Sequence, residues 1–321
     1  RRICMRIEIG ANEAGQRTDK FMRKVLGDVP LSKIYKAFRK GDIRVNGSKI
    51  KEKHSLVEGD VVETKYITSE FKREEFVRID NKLKITFEDA NILMVEKWPG
   101  VLVHADKKDG EPTLTDYALS YLFDKGDYKP ENEITFTPAP CNRLDRNTSG
   151  MVIFGKNFKS LKLLNEMIRD RNIEKYYMAL VSGRIKDGIY EGYIYKNEDA
   201  NISQVFNEPK PDTKRIAMDV KTIESCGTFS LLDINLLTGR SHQLRAHLSM
   251  LGNPILGDPK YGNKKINSYF NNKYGLDSQY LYAYKLIFKN CPEDLSYMEN
   301  KTIAESLPPA LKKIKRDIFK F

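Results

Sequence analysis

The sequence predicts an α+β protein in which a small N-terminal unit precedes a larger domain with a mixed, mainly antiparallel sheet and flanking helices. Apolar stretches that alternate with short turns extend from Phe87 to Phe288, which is typical of antiparallel strands. Apolar residues recur at helical spacing in 159–168 and 244–251. Residues 12–66 form a compact basic unit with turns of its own.

The length of 321 residues suggests about two domains. Residues 69–82 are mostly charged and polar, as expected of a linker between domains. We therefore divide the chain into an N-terminal domain at 1–68, a linker at 69–82 and a second domain at 83–321.

Two helices and a hairpin are predicted in the N-terminal domain. The first helix opens at 15–21 and Pro30 ends it, while Ser32 is a candidate cap for the second helix, which Gly41 ends. The strand that follows runs into the dipeptide Asn46-Gly47, which is typical of a tight hairpin turn.

The surface of this first domain is predicted to be basic. Between residues 31 and 53 there are eight Lys or Arg and two Asp or Glu, and the whole chain carries a net charge of +11. Such a surplus attracts polyanions, with nucleic acid first among them, although a charge run can also be a solvated helix face. The candidate contact residues are Arg17, Lys33, Lys36, Arg39, Lys40 and Arg44.

In the second domain, one loop carries an unusual grouping of charges. The apolar run Met151-Val152-Ile153-Phe154 reads as a buried strand, which places the preceding residues in a loop at the edge of a sheet. Asp145 stands in that loop between Arg143 and Arg146. The two guanidiniums favour the ionised carboxylate and attract a polyanion, although such a string can also be a salt-bridged turn.

Two further sequence strings occur along the chain in the same order as in a known family. Residues 237–248 read Leu-Thr-Gly-Arg-Ser-His-Gln-Leu-Arg-Ala-His-Leu and continue into Gly-Asp-Pro-Lys-Tyr-Gly at 257–262, while residues 175–183 read Lys-Tyr-Tyr-Met-Ala-Leu-Val-Ser-Gly. Together with the Asp145 loop, they resemble the Rlu family of RNA pseudouridine synthases over roughly residues 83–310. Glu96 and Trp98 depart from the Asn-Lys-Pro that this family has at that position.

The first domain has a resemblance of its own. The pattern of Arg17, Asp19 and Ser32, followed by Arg-Lys-Gly at 39–41 and Val-Asn-Gly at 45–47, is similar to the alpha-L RNA-binding domain of the ribosomal-protein-S-four type. The two resemblances imply an enzyme that isomerises uridines in RNA. An N-terminal RNA-binding domain of this kind points to large-subunit ribosomal RNA, with transfer RNA as the alternative substrate.

The family resemblance also implies roles for individual residues. Asp145 is then the catalytic carboxylate, which either attacks the anomeric carbon of the ribose or removes a proton from its second carbon. Arg245 is the expected partner of Asp145, because a planar guanidinium can hold a carboxylate in two-point geometry. Tyr177 is expected to stack on the target uracil, with Tyr176 as the alternative, and Arg143 is expected to fill the stack that a flipped base leaves.

Isomerisation gains and loses no atoms, so no cofactor and no metal is expected. The sequence has no Gly-x-Gly-x-x-Gly after a strand and no phosphate-cradling loop. His242 and His247 are five residues apart, which separates them on a helix, and we expect them to make structural side-chain hydrogen bonds.

The remaining expectations concern environment and competing functions. The isolated cysteines Cys4, Cys141, Cys226 and Cys291 suit reduced thiols in the cytoplasm, and no apolar run approaches the roughly 18 residues that span a bilayer. We expect a monomer that binds RNA and no membrane. Two other functions compete: a glycosidase, which would usually need two carboxylates, and a non-catalytic ribosome-assembly factor, which would not need Asp145, Tyr177 and Arg245.

Overall fold

A computed structural model describes residues 5–68, 76–105 and 110–320 of the protein. The N-terminal part forms a small antiparallel sheet with two helices, and its strands are ordered β1-β4-β2-β3. Its elements are β1 (Met5–Glu8), α1 (Thr18–Val25), α2 (Leu31–Lys40), β2 (Ile43–Val45), β3 (Ser48–Lys49) and β4 (Val61–Thr64).

The two helices and the hairpin follow from local sequence signals, with two exceptions. Helix α1 ends at Val25, so the prediction that Pro30 ends it is wrong. Helix α2 ends at Gly41, which adopts the left-handed conformation (φ 71°), and Asn46 and Gly47 both have positive φ in the turn between β2 and β3. The capping role predicted for Ser32 is also wrong. Pro30 precedes the first helical residue, so Ser32 lies exposed inside the first turn.

The second part of the chain contains a large mixed sheet with helices against it. The strands follow the order β11-β10-β12-β13-β9-β14-β8-β6-β5, with β15 on β14 and β7 on β8. The strands are β5 (Lys84–Glu88), β6 (Ile92–Lys97), β7 (Ala139–Pro140), β8 (Ser149–Gly155), β9 (Ile173–Ser182), β10 (Gly188–Asn197), β11 (Ile202–Phe206), β12 (Lys214–Ser225), β13 (Phe229–Leu236), β14 (Leu281–Phe288) and β15 (Thr302–Ala304). The helices are α3 (Leu114–Lys125), α4 (Phe158–Arg169), α5 (Gln243–Met250), α6 (Lys264–Tyr274) and α7 (Pro309–Ile318), with a 3₁₀ turn at Glu293–Met298.

One parallel strand pair joins the two antiparallel halves of this sheet. Strand β8 runs parallel to β14, with Ser149 opposite Tyr282 and Gly150 opposite Ala283. The other strand pairs among the described residues are antiparallel. The predicted fold class, a mixed and mainly antiparallel sheet with flanking helices, is therefore confirmed.

Gly150 allows the two halves to meet. Its φ is 126°, and a Cβ atom added to it would lie 2.3 Å from the carbonyl oxygen and 2.5 Å from the nitrogen of Ala283. Any side chain would therefore push β8 away from β14. Because the loop with Asp145 leads directly into β8, this close approach also fixes where that loop ends.

The N-terminal part has its own apolar cluster, built around Phe21 and Phe38, and it contacts residues 133–135 and Phe158 of the larger part. The amide of Asn12 donates to both carboxylate oxygens of Glu133 at 2.9 Å, and Ile134 packs against the N-terminal cluster. Half of the predicted linker, residues 69–75, lies outside the described residues, so the division into domains stays a prediction.

Residues at the end of the chain fold back onto the sheet. Helix α7 buries Ile314, and the hydroxyl of Tyr280 donates to the carbonyl of Leu311 at 2.8 Å. No helix in the described ranges is long and apolar enough to cross a membrane.

Candidate active site

Asp145 lies in the loop between β7 and β8, close to the joint between the two halves of the sheet. The side chain of Asp145 is 27% exposed, and its backbone carbonyl accepts a hydrogen bond from the backbone N–H of Thr148 at 3.0 Å. The hydroxyl of Thr148 in turn accepts from the amide of Gln279, which stands just before β14. The carboxylate of Asp145 is thus open to solvent on one side while its loop is anchored on the other.

Arg245 brings α5 and the Asp145 loop together. Its Nη1 donates to Oδ2 of Asp145 at 3.0 Å, across a sequence separation of 100 residues. Its Nε and Nη2 form a two-point pair with Asp258, at 2.7 Å and 3.0 Å. Burial alone would lower the pKa of Arg245, but the hydrogen bonds and charges of Asp258 and Asp145 raise it above its ordinary value. Arg245 therefore remains a cation that two carboxylates share.

Asp258 was not among the residues predicted from the sequence. It is fully buried, and its Oδ1 also accepts from the backbone N–H groups of Lys260 and Tyr261, at 2.9 Å and 3.0 Å. A buried carboxylate with all these donors cannot rotate freely, so it fixes the plane of the Arg245 guanidinium. The signal that could have identified it is an acidic residue between Gly257 and Pro259 in a string already singled out.

The turn before α5 is held by side chains that face inward. The Oε1 atom of Gln243 accepts from the hydroxyl of Thr238 at 2.8 Å and from the backbone N–H of Arg240 at 3.1 Å, while its Nε2 donates to the carbonyl of Ala217 at 3.0 Å. The bond to Ala217 ties the start of α5 to β12, and the other two close the turn before the helix. Arg245, in the first turn of this helix, therefore projects from a rigid support.

An aromatic ring and an imidazole border Arg245. The guanidinium carbon of Arg245 lies 5.1 Å from the ring centre of Tyr261, and Nδ1 of His242 is 2.9 Å from the hydroxyl of Tyr261. Burial lowers the pKa of His242. The structural hydrogen bond expected of His242 is therefore present. For His247, burial lowers the pKa to about 4, an effect that a hydrogen bond with the backbone of Glu191 opposes.

Tyr177 in β9 lies beside Asp145. It is 6% exposed, and burial raises the pKa of its hydroxyl, an effect that the charge of Asp145 increases. A phenol held neutral in this way is suited to stacking rather than to taking up a proton. Tyr176, the alternative, faces the opposite side of the sheet, where its hydroxyl donates to Glu174 at 3.2 Å.

Lys97 supports the Asp145 loop through hydrogen bonds to backbone carbonyls. It has no exposed surface, and its ammonium donates to the carbonyls of Trp98, Val101 and Arg146 at 3.2, 2.9 and 2.7 Å. Burial lowers the pKa of Lys97 to about 7, although the charge of Asp145 opposes this. The departures at Glu96 and Trp98 from the family pattern leave this lysine in place.

The other residues predicted to contact RNA differ in their surroundings: some are exposed, and others are bonded within the protein. Arg143 is exposed, two residues before Asp145. Lys33, Lys36, Arg39 and Lys40 are exposed along α2. Arg17 is paired with Asp19 at 2.7 Å, and the guanidinium of Arg44 donates to the carbonyls of Gly41 and Gly47, so these two arginines stabilise the fold of the N-terminal part.

Comparisons with known proteins cover the part of the chain that carries this site. Residues 91–250 match the family described as RNA pseudouridylate synthase. The chain is 32% identical over 310 residues to the ribosomal large subunit pseudouridine synthase C of Vibrio parahaemolyticus, covering 94% of this chain and 93% of that protein. It is 33% identical over 304 residues to an uncharacterized RNA pseudouridine synthase of Mycoplasma capricolum, covering 93% of this chain and 96% of that protein.

A solved structure shares the fold. The human RNA pseudouridylate synthase domain containing 4 superposes with a TM-score of 0.56 at 21% identity, covering 72% of this chain and 92% of that one. At this identity the likeness concerns the fold alone.

Proposed function

This chain belongs to the RNA pseudouridylate synthase family, and on that premise we propose that it converts uridines of large-subunit ribosomal RNA into pseudouridine with Asp145 as the catalytic carboxylate. The observation that carries the proposal is the pair between Asp145 and Arg245. It places a partly exposed carboxylate, held by a buried cation, beside a neutral tyrosine.

The reaction breaks the bond between N1 of uracil and C1′ of ribose and joins C1′ to C5 of the same base. The proton of C5 is lost and N1 gains one, so the formula is unchanged. Asp145 either attacks C1′ or removes the proton of C2′, and both roles need the carboxylate form. The hydrogen bond from Arg245 aims one carboxylate oxygen.

Tyr177 and Arg143 have complementary roles in this proposal. The target base is stacked in the RNA and must be turned out before Asp145 can reach its sugar, at a cost of a few kcal/mol. The ring of Tyr177 then stacks on the extruded uracil, while its hydroxyl stays neutral. Arg143 is exposed near Asp145, where its planar guanidinium suits the gap left in the RNA.

The choice of large-subunit ribosomal RNA rests on two supports. The relative from Vibrio parahaemolyticus is named for the large ribosomal subunit and matches this chain over nearly its whole length. The N-terminal part carries the exposed cations Lys33, Lys36, Arg39 and Lys40 on α2, which suit the phosphates of a large RNA. We therefore assign residues 1–68 as an alpha-L RNA-binding domain and 83–321 as the catalytic domain of a cytoplasmic monomer.

The test measures tritium release from RNA labelled at C5 of uracil. The purified protein is incubated with large-subunit ribosomal RNA and, separately, with transfer RNA, and pseudouridine is mapped in both products. We expect release without free base, at discrete positions of the ribosomal RNA, and none with Asp145→Asn. Release from transfer RNA alone would overturn the substrate assignment, and binding without release from either RNA would favour an assembly factor.

A further inference from the structure

Lys175 shares a face of the sheet with Tyr177. The two residues are separated by one position in β9, and side chains alternate between faces along a strand, so both point to the side where Asp145 lies. Glu174 and Tyr176 occupy the opposite face, where Lys285 stands 4.0 Å from the Tyr176 ring centre. At about 3.3 Å per residue, the Lys175 and Tyr177 backbones are roughly 7 Å apart.

The ammonium of Lys175 has no anionic partner in the described ranges. No hydrogen bond or ion pair joins it to a carboxylate among those residues, and the charged group that acts on it is the guanidinium of Arg171. Burial and this neighbouring cation lower the pKa of Lys175. Its Nζ would lie 3.8 Å from a Cβ atom placed on Gly239, so it borders the turn that leads through Arg240 to α5.

An unpaired cation that is largely removed from water costs free energy unless an anion reaches it. The other buried cations of the candidate active site have internal partners: Arg245 is paired with two carboxylates, and Lys97 donates to three carbonyls. Lys175 differs from both because no carboxylate among the described residues pairs with its ammonium, which leaves the charge available to an external anion. An RNA whose uracil lies on Tyr177 brings phosphates within several ångströms of that base.

We propose that Lys175 binds a backbone phosphate next to the target uridine, and so forms a phosphate subsite between β9 and the turn at Gly239. This inference rests on the proposed function, because it assumes that RNA enters this cleft. The subsite would add affinity for the RNA, while the lysine takes no part in bond making.

The first test measures RNA binding across a range of salt concentrations, with Asp145→Asn as the background to prevent turnover. Lys175→Gln should bind several-fold more weakly and lower the log–log salt slope by about 0.7, the value for one phosphate contact on a single strand. Lys175→Arg should restore the slope. Lys285→Gln, on the opposite face, is the matched control and should leave it unchanged.

The second test replaces single phosphates. RNAs with one neutral methylphosphonate, placed on either side of the target uridine, are compared on the protein with and without Lys175→Gln. At one of the two positions, the neutral linkage should weaken RNA binding to the protein that retains Lys175. It should cause no further loss of RNA binding in Lys175→Gln.

Equal losses in both proteins at both positions would overturn the proposal, as would an unchanged salt slope in Lys175→Gln. With Asp145 intact, a fall in the rate of tritium release at saturating RNA, with unchanged affinity in Lys175→Gln, would also overturn it. If the protein binds RNA with the predicted slopes but releases no tritium, the proposed function fails and the phosphate site stands.

Discussion

Nη1 of Arg245 donates to Oδ2 of Asp145 across 3.0 Å. The remaining two-point face of the same guanidinium is occupied by Asp258, so Arg245 cannot turn away from the loop without breaking a buried pair. Asp258, which follows α5 in the chain, therefore orients the candidate catalytic carboxylate through Arg245.

Asp145→Asn should abolish isomerisation and preserve RNA binding. The amide has nearly the same shape but can act neither as a nucleophile nor as a base, and such groups contribute about 10²–10⁴-fold or more to the rate. Tritium release should fall to less than about a hundredth of the wild-type rate. Turnover above that level, by a protein with normal RNA affinity, would remove Asp145 from its assigned role.

Asp258→Asn should reduce the rate of isomerisation at saturating RNA while the affinity for RNA changes little. The neutral side chain leaves Arg245 without its two-point anionic partner, so the guanidinium no longer holds Asp145 in one orientation. Stability should also fall, by up to about 3–5 kcal/mol, because removing one charge of a buried pair is costly.

Single-turnover rates and denaturant unfolding separate the two effects of Asp258→Asn. The control is Asp277→Asn, an exposed residue in the segment between α6 and β14. If Asp258→Asn lost stability but kept the wild-type single-turnover rate in the folded protein, the positioning role would be wrong.

Lys97→Met should remove a pH dependence of stability. The unfolded chain keeps the Lys97 proton up to its ordinary pKa of 10.5, whereas the folded protein releases it at a pKa of about 7. Between these values the unfolded state binds more protons, so the free energy of unfolding rises with pH, by at most about 1.4 kcal/mol per unit.

The measurement is urea unfolding at pH 7 and pH 9. The wild-type protein should gain more stability over this interval than Lys97→Met, and the variant should be less stable at pH 9, since the carbonyls that bind the Lys97 amine lose their donor. An equal change with pH in the two proteins would show that Lys97 titrates at its ordinary pKa.

Gly150→Ala should destabilise the second domain strongly. The new methyl group would sit 2.3 Å from the carbonyl oxygen of Ala283, so β8 and β14 must separate. Gly188→Ala is the matched control, since Gly188 also has positive φ (143°) but open space around it. Thermal unfolding should show a clearly larger loss for Gly150→Ala, and similar losses would mean that backbone strain alone matters.

Neutralising α2 should weaken RNA binding by removing salt-dependent interactions with phosphates. Replacing Lys33, Lys36, Arg39 and Lys40 with Gln should lower the salt slope by about 0.7 for each phosphate that the helix no longer binds. The rate at saturating RNA should stay near that of the wild type. The same change at Lys264 and Lys265 of α6 serves as the control, and an equal drop in slope there would assign the effect to net charge.

Local sequence signals predicted several of the elements and the loop that carries the catalytic candidate. The strand at Met151–Phe154, the turn at Asn46-Gly47 and the end of α2 at Gly41 are set by local apolar spacing and backbone preference, and the structure contains each of them. The loop with Asp145 was identified because its charges and the residues around it form one continuous string.

Contacts between distant residues depend on the tertiary structure. The support of the Asp145 loop by Lys97 depends on the pairing of β6 with β8, which places Lys97 opposite Gly150. The position of Lys175, away from any carboxylate partner among the described residues, depends on the order of the strands around β9. Pairing across long sequence separations leaves no periodic signal in the chain, because it depends on strand order and side-chain direction, which local propensities do not encode.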